Sequence, residues 1–91
     1  MKSVHLVIAG RVQRVGYRDW MVREARGLGL AGWVRNRADG TVEAVAAGPA
    51  EAVDRLVAAC HRGPRLADVH TVIMRDTETS ESDGFHRLES A

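Results

Sequence analysis

The sequence predicts an α+β fold in which two helices pack on one face of a mostly antiparallel sheet. Three observations predict it. Apolar residues recur with period two in four segments and with helical spacing in two others. Each helical segment carries a single apolar stripe, which suits burial against one sheet face. An Asp-Gly pair between two strand-like runs marks a hairpin near the middle of the chain.

The elements follow in order. In "SVHLVIAG", Val4, Leu6 and Ile8 share one face and His5, Val7 and Ala9 the other, which reads as a strand. From Tyr17 the period changes: Tyr17, Met21, Ala25 and Leu28 form one stripe with Trp20 beside it, and Gly27 and Gly29 are suited to ending that helix. "AGWVRN" and "TVEAVAAG" are the arms of the hairpin, joined through "RADG". A second helix begins near Pro49, where a missing N–H costs nothing, and buries Val53, Leu56, Val57 and Cys60 before Gly63-Pro64 stops it. "LADVHTVIMRD" is a fourth strand, "TETSESDG" an acidic solvated connection, and "FHRLES" a last short strand. The order β-α-β-β-α-β plus a short terminal strand is that of a ferredoxin-like α/β sandwich, expected as a single domain over residues 1–91.

Composition sets the class. Hydrophobic residues at 45% and charged residues at 27% are ordinary for a globular domain, and aromatic residues at 4% leave the core to Val, Leu, Ile and Ala. The net charge of +1 gives no bulk attraction to nucleic acid, but the charge is unevenly placed. Arg11, Arg14, Arg18, Arg23, Arg26, Arg35 and Arg37 face only Asp19 and Glu24. The tail instead holds Asp76, Glu78, Glu81, Asp83 and Glu89 against Arg87. Cys60 is the one cysteine, which excludes an internal disulfide and a cysteine-based zinc site and points to a reducing compartment. The opening "MKSVHLVIAG" is too short for a membrane span and lacks a signal peptide's apolar core, so the expected location is cytoplasmic, with no membrane partner.

"GRVQRVGYR" concentrates positive charge and glycine where the first strand hands over to the first helix. Successive N–H groups in such a loop can converge on an anion, the helix dipole adds to the attraction, and Arg18 offers a planar fork matched to phosphate oxygens. A merely solvated basic turn is the alternative. Asn36, at the end of the second strand, has an amide that can donate and accept at once and so hold a water molecule. Asparagines at that place more often bond their own turn.

These two segments resemble the acylphosphatase family. "GRVQRVGYR" is similar to its motif G-x-V-Q-G-V-x-[Phe or Tyr]-R, and "GWVRNRADGTVEAV" to its motif G-W-V-x-N-x-x-x-G-x-V, with the spacing from Arg18 to Asn36 also matching. The resemblance implies an enzyme that hydrolyses small-molecule acyl phosphates to a carboxylate and inorganic phosphate, with no metal or other cofactor, acting as a monomer. It implies that Arg18 binds the phosphate and that backbone N–H groups of Gln13, Arg14, Val15, Gly16 and Tyr17 cradle it. Asn36 would orient the attacking water and Thr41 steady Asn36 across the hairpin. Arg14 departs from the pattern, which has glycine there. If that position needs a positive φ, arginine costs about 1–2 kcal/mol. Otherwise the loop simply gains a charge, and Arg14 reads as a tolerated variant whose backbone N–H is the functional group.

The same element order serves other functions. An RNA-binding sheet needs exposed aromatics, and three of Tyr17, Trp20, Trp33 and Phe85 are wanted by the helix stripe or the core. His5, His61, His70 and His86 have no ligand spacing. An acylphosphatase-like domain of a larger carbamoyl-transferring maturation protein would need further domains downstream. Cys60 and Trp33 are expected to be structural.

Overall fold

The computed structural model describes residues 1–78 and 83–91. Seven elements follow the predicted order: β1 (Lys2–Arg11), α1 (Tyr17–Gly27), β2 (Ala31–Asn36), β3 (Val42–Gly48), α2 (Ala50–Cys60), β4 (Asp68–Asp76) and β5 (Phe85–Arg87). Of the acidic connection between β4 and β5, residues 79–82 lie outside the described residues. The five strands form one sheet in the order β4-β1-β3-β2-β5. β1 pairs antiparallel with β3 and β4, and β2 antiparallel with β3, whereas β5 runs parallel to β2.

The face of β1 that period two assigns to the core is the buried one: Val4, Leu6 and Ile8 have no exposed surface. Their register partners Ala46, Ala44 and Val42 on β3 are equally buried, and the helix stripes close over them through Tyr17, Met21 and Ala25 of α1 and Val53, Leu56 and Cys60 of α2. Leu28 and Val57 pack at the margin of this core. Among the described residues, the opposite face carries no helix. There Trp33 lies under the Arg35 guanidinium, 5.1 Å from the ring centre, and Glu43 accepts from Arg35 and pairs with His5, each at 2.7 Å. Trp33 is thus a support for the open face.

The terminal strand is shorter than expected, ending at Arg87, but the chain keeps following β2. Leu88 N–H donates to the Val34 carbonyl at 2.8 Å, and Ala91 N–H to the Asn36 carbonyl at 2.9 Å. Phe85, fully buried, anchors this segment to the core. Its consequence for the site is direct: the tail runs past the end of β2 where Asn36 sits.

Candidate active site

The loop between β1 and α1 is held at three points. Val12 and Tyr17 are buried and Val15 packs against the core, so Arg14 and Gly16 are left at the surface. Gln13 turns the other way. Its side-chain amide donates to the carbonyls of Arg37 and Thr41 at 2.8 and 2.9 Å, which locks the loop to the β2–β3 hairpin. Two residues of the loop are left-handed, Arg14 at φ 63° and Gly16 at φ 79°. Gly16 caps α1 without a side-chain hydrogen bond, and a Cβ there would meet nothing within 4 Å. Glycine is therefore wanted for its φ rather than for space. Arg14 has no such exemption and carries the strain of about 1–2 kcal/mol that a left-handed L-residue costs.

This turn leaves the start of α1 open. Trp20 N–H makes the first helical bond, to the Gly16 carbonyl at 3.0 Å. Among the described residues, no acceptor meets the N–H groups from Gln13 to Asp19. A pocket of about 180 Å³ opens beside this turn, lined by Val12, Arg14, Gly16, Tyr17, Arg18, Asp19, Asn36 and Arg87. The structure thus brings Arg18 and Asn36, eighteen positions apart in the sequence, to one cavity.

Each polar side chain of the pocket is held differently. Arg18 donates through one Nη to the Leu88 carbonyl at 3.2 Å, which steadies the guanidinium and leaves its other N–H groups available. Asn36 is half-buried, and its side-chain amide bonds no group of its own turn among the described residues. The turn-bonding alternative for Asn36 is therefore not the one realised. Thr41 acts elsewhere. Its hydroxyl donates to the Asp39 carboxylate at 2.6 Å and its N–H to the same oxygen at 2.9 Å, while its carbonyl closes the hairpin with Arg37 N–H at 2.9 Å. Thr41 shapes the turn beyond Asn36, and no bond joins the two side chains among the described residues.

Two pocket residues escaped the sequence reading. Asp19, in the first turn of α1, accepts from Arg87 of β5 at 2.6 Å. The hydrogen bond from Arg87 holds the Asp19 carboxyl below its ordinary range, so the acid at the pocket mouth is ionised and already matched by a cation. Neither belongs to the two motifs, and their pairing depends on β5 lying beside β2. Behind the pocket, Tyr17 OH donates to the Cys60 carbonyl at 2.6 Å and the ring meets Trp20 edge-on at 5.2 Å. Burial pushes the phenol far above its usual range and the Cys60 thiol up to about 12, so both stay neutral in the core.

Free N–H groups at a helix start, beside fixed guanidinium groups, are an arrangement that can hold an oxyanion. Comparison with known proteins places this α+β domain among relatives. The family model for acylphosphatase matches residues 4–87. The acylphosphatase of Acidiphilium cryptum is 58% identical over 85 residues, covering 93% of both chains, and that of Rhodospirillum rubrum is 48% identical over 90 residues, covering 99% of both. The crystal structure of acylphosphatase from Bacillus subtilis superposes with a TM-score of 0.92 at 35% identity, covering 97% of this chain and 99% of that one. The chain belongs to the acylphosphatase family and is an enzyme that hydrolyses acyl phosphates.

Proposed function

We propose that the pocket between β1, α1 and the end of β2 carries out this hydrolysis without a metal, on one chain alone. The N–H groups from Gln13 to Tyr17 and the guanidinium of Arg18 hold the phosphoryl oxygens, and Asn36 holds the attacking water. The observation that carries the reading is that Arg14, Gly16, Tyr17 and Arg18, whose N–H groups meet no acceptor among the described residues, line one cavity together with Asn36.

The chemistry asks little more. The carboxylate of an acyl phosphate is a good leaving group, so positioning and fixed positive charge on the phosphoryl oxygens supply most of what the reaction needs. Water bonds to phosphorus as the bond from phosphorus to the carboxylate oxygen breaks. The water's proton passes to a phosphoryl oxygen, giving inorganic phosphate and a free carboxylate. Asp19 is a poor candidate for the base, because its pairing with Arg87 lowers its basicity. Asn36 needs no charge for its part, since one amide both donates to and accepts from the same water.

Release of inorganic phosphate from acetyl phosphate tests the reading. The rate is expected to be the same with and without a chelator, and a chelator-sensitive rate would overturn the metal-free mechanism. Asn36→Ala should lower kcat while leaving inhibition by inorganic phosphate nearly unchanged, because the water and not the phosphate loses its partner. A collapse of phosphate inhibition with kcat preserved would move Asn36 to the phosphate-binding shell.

A further inference from the structure

The pocket holds one cation more than the proposed chemistry uses. Its charged lining is Arg14, Arg18, Arg87 and Asp19. Asp19 takes Arg87 at 2.6 Å, and Arg18 is committed to the phosphoryl group. The guanidinium of Arg14 makes no hydrogen bond or ion pair among the described residues, and the residue is exposed. Arg14 is also the one non-glycine with a positive φ among the described residues. A strained backbone here places an unpaired charge at the cavity, and such strain persists where the surroundings or the function require it.

The rest of the lining indicates what that charge meets. The apolar members, Val12 and Tyr17, are each only 1% exposed, so they offer almost no surface to an acyl chain. The side chains that this lining would offer an acyl group beside the phosphoryl site are polar and charged. A neutral acyl group could pack only against the carbon stems of these side chains, whereas an anionic one would also meet a guanidinium able to bond it through two N–H groups.

We propose that the Arg14 side chain determines specificity, by binding a second anionic group, carboxylate or phosphate, on the acyl portion of the substrate. The proposal rests on the phosphoryl group occupying the pocket as described above. The backbone N–H of Arg14 serves the phosphoryl site and its side chain reads the acyl group.

Matched aromatic acyl phosphates test it, because a para substituent cannot close back on the acyl phosphate. The probes are 4-methylbenzoyl phosphate as the neutral reference, 4-carboxybenzoyl phosphate for a carboxylate and 4-phosphonobenzoyl phosphate for a phosphate-like group. The readout is the ratio of kcat/KM for each anionic probe to that of the neutral one, in wild type, Arg14→Gly and Arg14→Gln. Damage to the loop slows all three probes alike and cancels in the ratio. Wild type should exceed both variants in this ratio by about three- to five-fold, the scale of one exposed ion pair, chiefly through KM. Equal ratios in wild type and both variants for both anionic probes would overturn the proposal. Failure of wild type to hydrolyse any of the three would instead overturn the phosphoryl site on which it rests.

Discussion

The two helices make an instructive pair. Each has eleven residues, neither has a side-chain N-cap bond, and each carries one acid in its first turn, Asp19 in α1 and Glu51 in α2. Their first helical bonds match as well, Trp20 N–H to the Gly16 carbonyl and Val53 N–H to the Pro49 carbonyl, both at 3.0 Å. The approaches to them differ. α1 is reached through residues 12–16, with two left-handed residues, whereas α2 follows β3 through Pro49 alone, at φ −55°. Near the start of α2 the side-chain cation Lys2 is taken by Asp54 at 2.8 Å. Among the described residues, a helix start with free N–H groups is common to both. The loop that lines a cavity and brings to it an unpaired guanidinium, that of Arg14, belongs to α1.

The contrast is broken most severely at Arg18. Arg18→Ala should reduce turnover at least 10²–10³-fold, roughly the cost of one preorganised donor, and should weaken inhibition by inorganic phosphate. Arg18→Lys should also fail, since an ammonium cannot reproduce the fork. A folded Arg18→Ala enzyme with near-normal turnover would reduce the start of α1 to the ordinary helix end seen in α2.

A second prediction uses the support that α2 lends α1. Gly63, just past α2, sits at φ 67°, and a Cβ there would lie 2.6 Å from Cε2 of Tyr17. Gly63→Ala should therefore destabilise the fold by about 1–3 kcal/mol, through left-handed strain and overpacking. Thermal denaturation should register a drop of about 4–8 °C per kcal/mol. An unchanged melting temperature would mean that Tyr17 is free to move away, and that the contact between the end of α2 and the start of α1 is not what holds the site.

The smallest effect concerns the acids. Because the bond from Arg87 lowers the Asp19 pKa, the ionised pair stabilises the folded chain above the unfolded pKa, and that contribution fades as pH falls through the folded value. The gap in melting temperature between wild type and Asp19→Asn should be steady near neutrality and close below about pH 4. A gap independent of pH would show that Asp19 acts by packing rather than charge.

Much of this was legible because it is local. Side-chain period alone assigns Val4, Leu6 and Ile8 to the core, and the helical stripe assigns Tyr17, Met21 and Ala25. The motif spacing named Arg18 and Asn36 as partners, and both line one pocket. Thr41 shows where spacing stops: it lies near Asn36 in sequence, yet its hydroxyl is taken by Asp39 two residues away. The short bond wins because it needs no further chain to be ordered.

What the sequence by itself determined is the set of elements, the buried face of each and the loop whose glycine and arginines suit an anion, since all follow from neighbours within a few residues. The tertiary structure alone decided that β5 lies parallel to β2, that Leu88 steadies Arg18 and that Arg87 neutralises Asp19. It also decided that Arg14 is left-handed and unpaired at the pocket. Contacts between residues 18 and 88, or 19 and 87, depend on how buried Phe85 docks its strand against the core, and no local pattern in the chain encodes that docking.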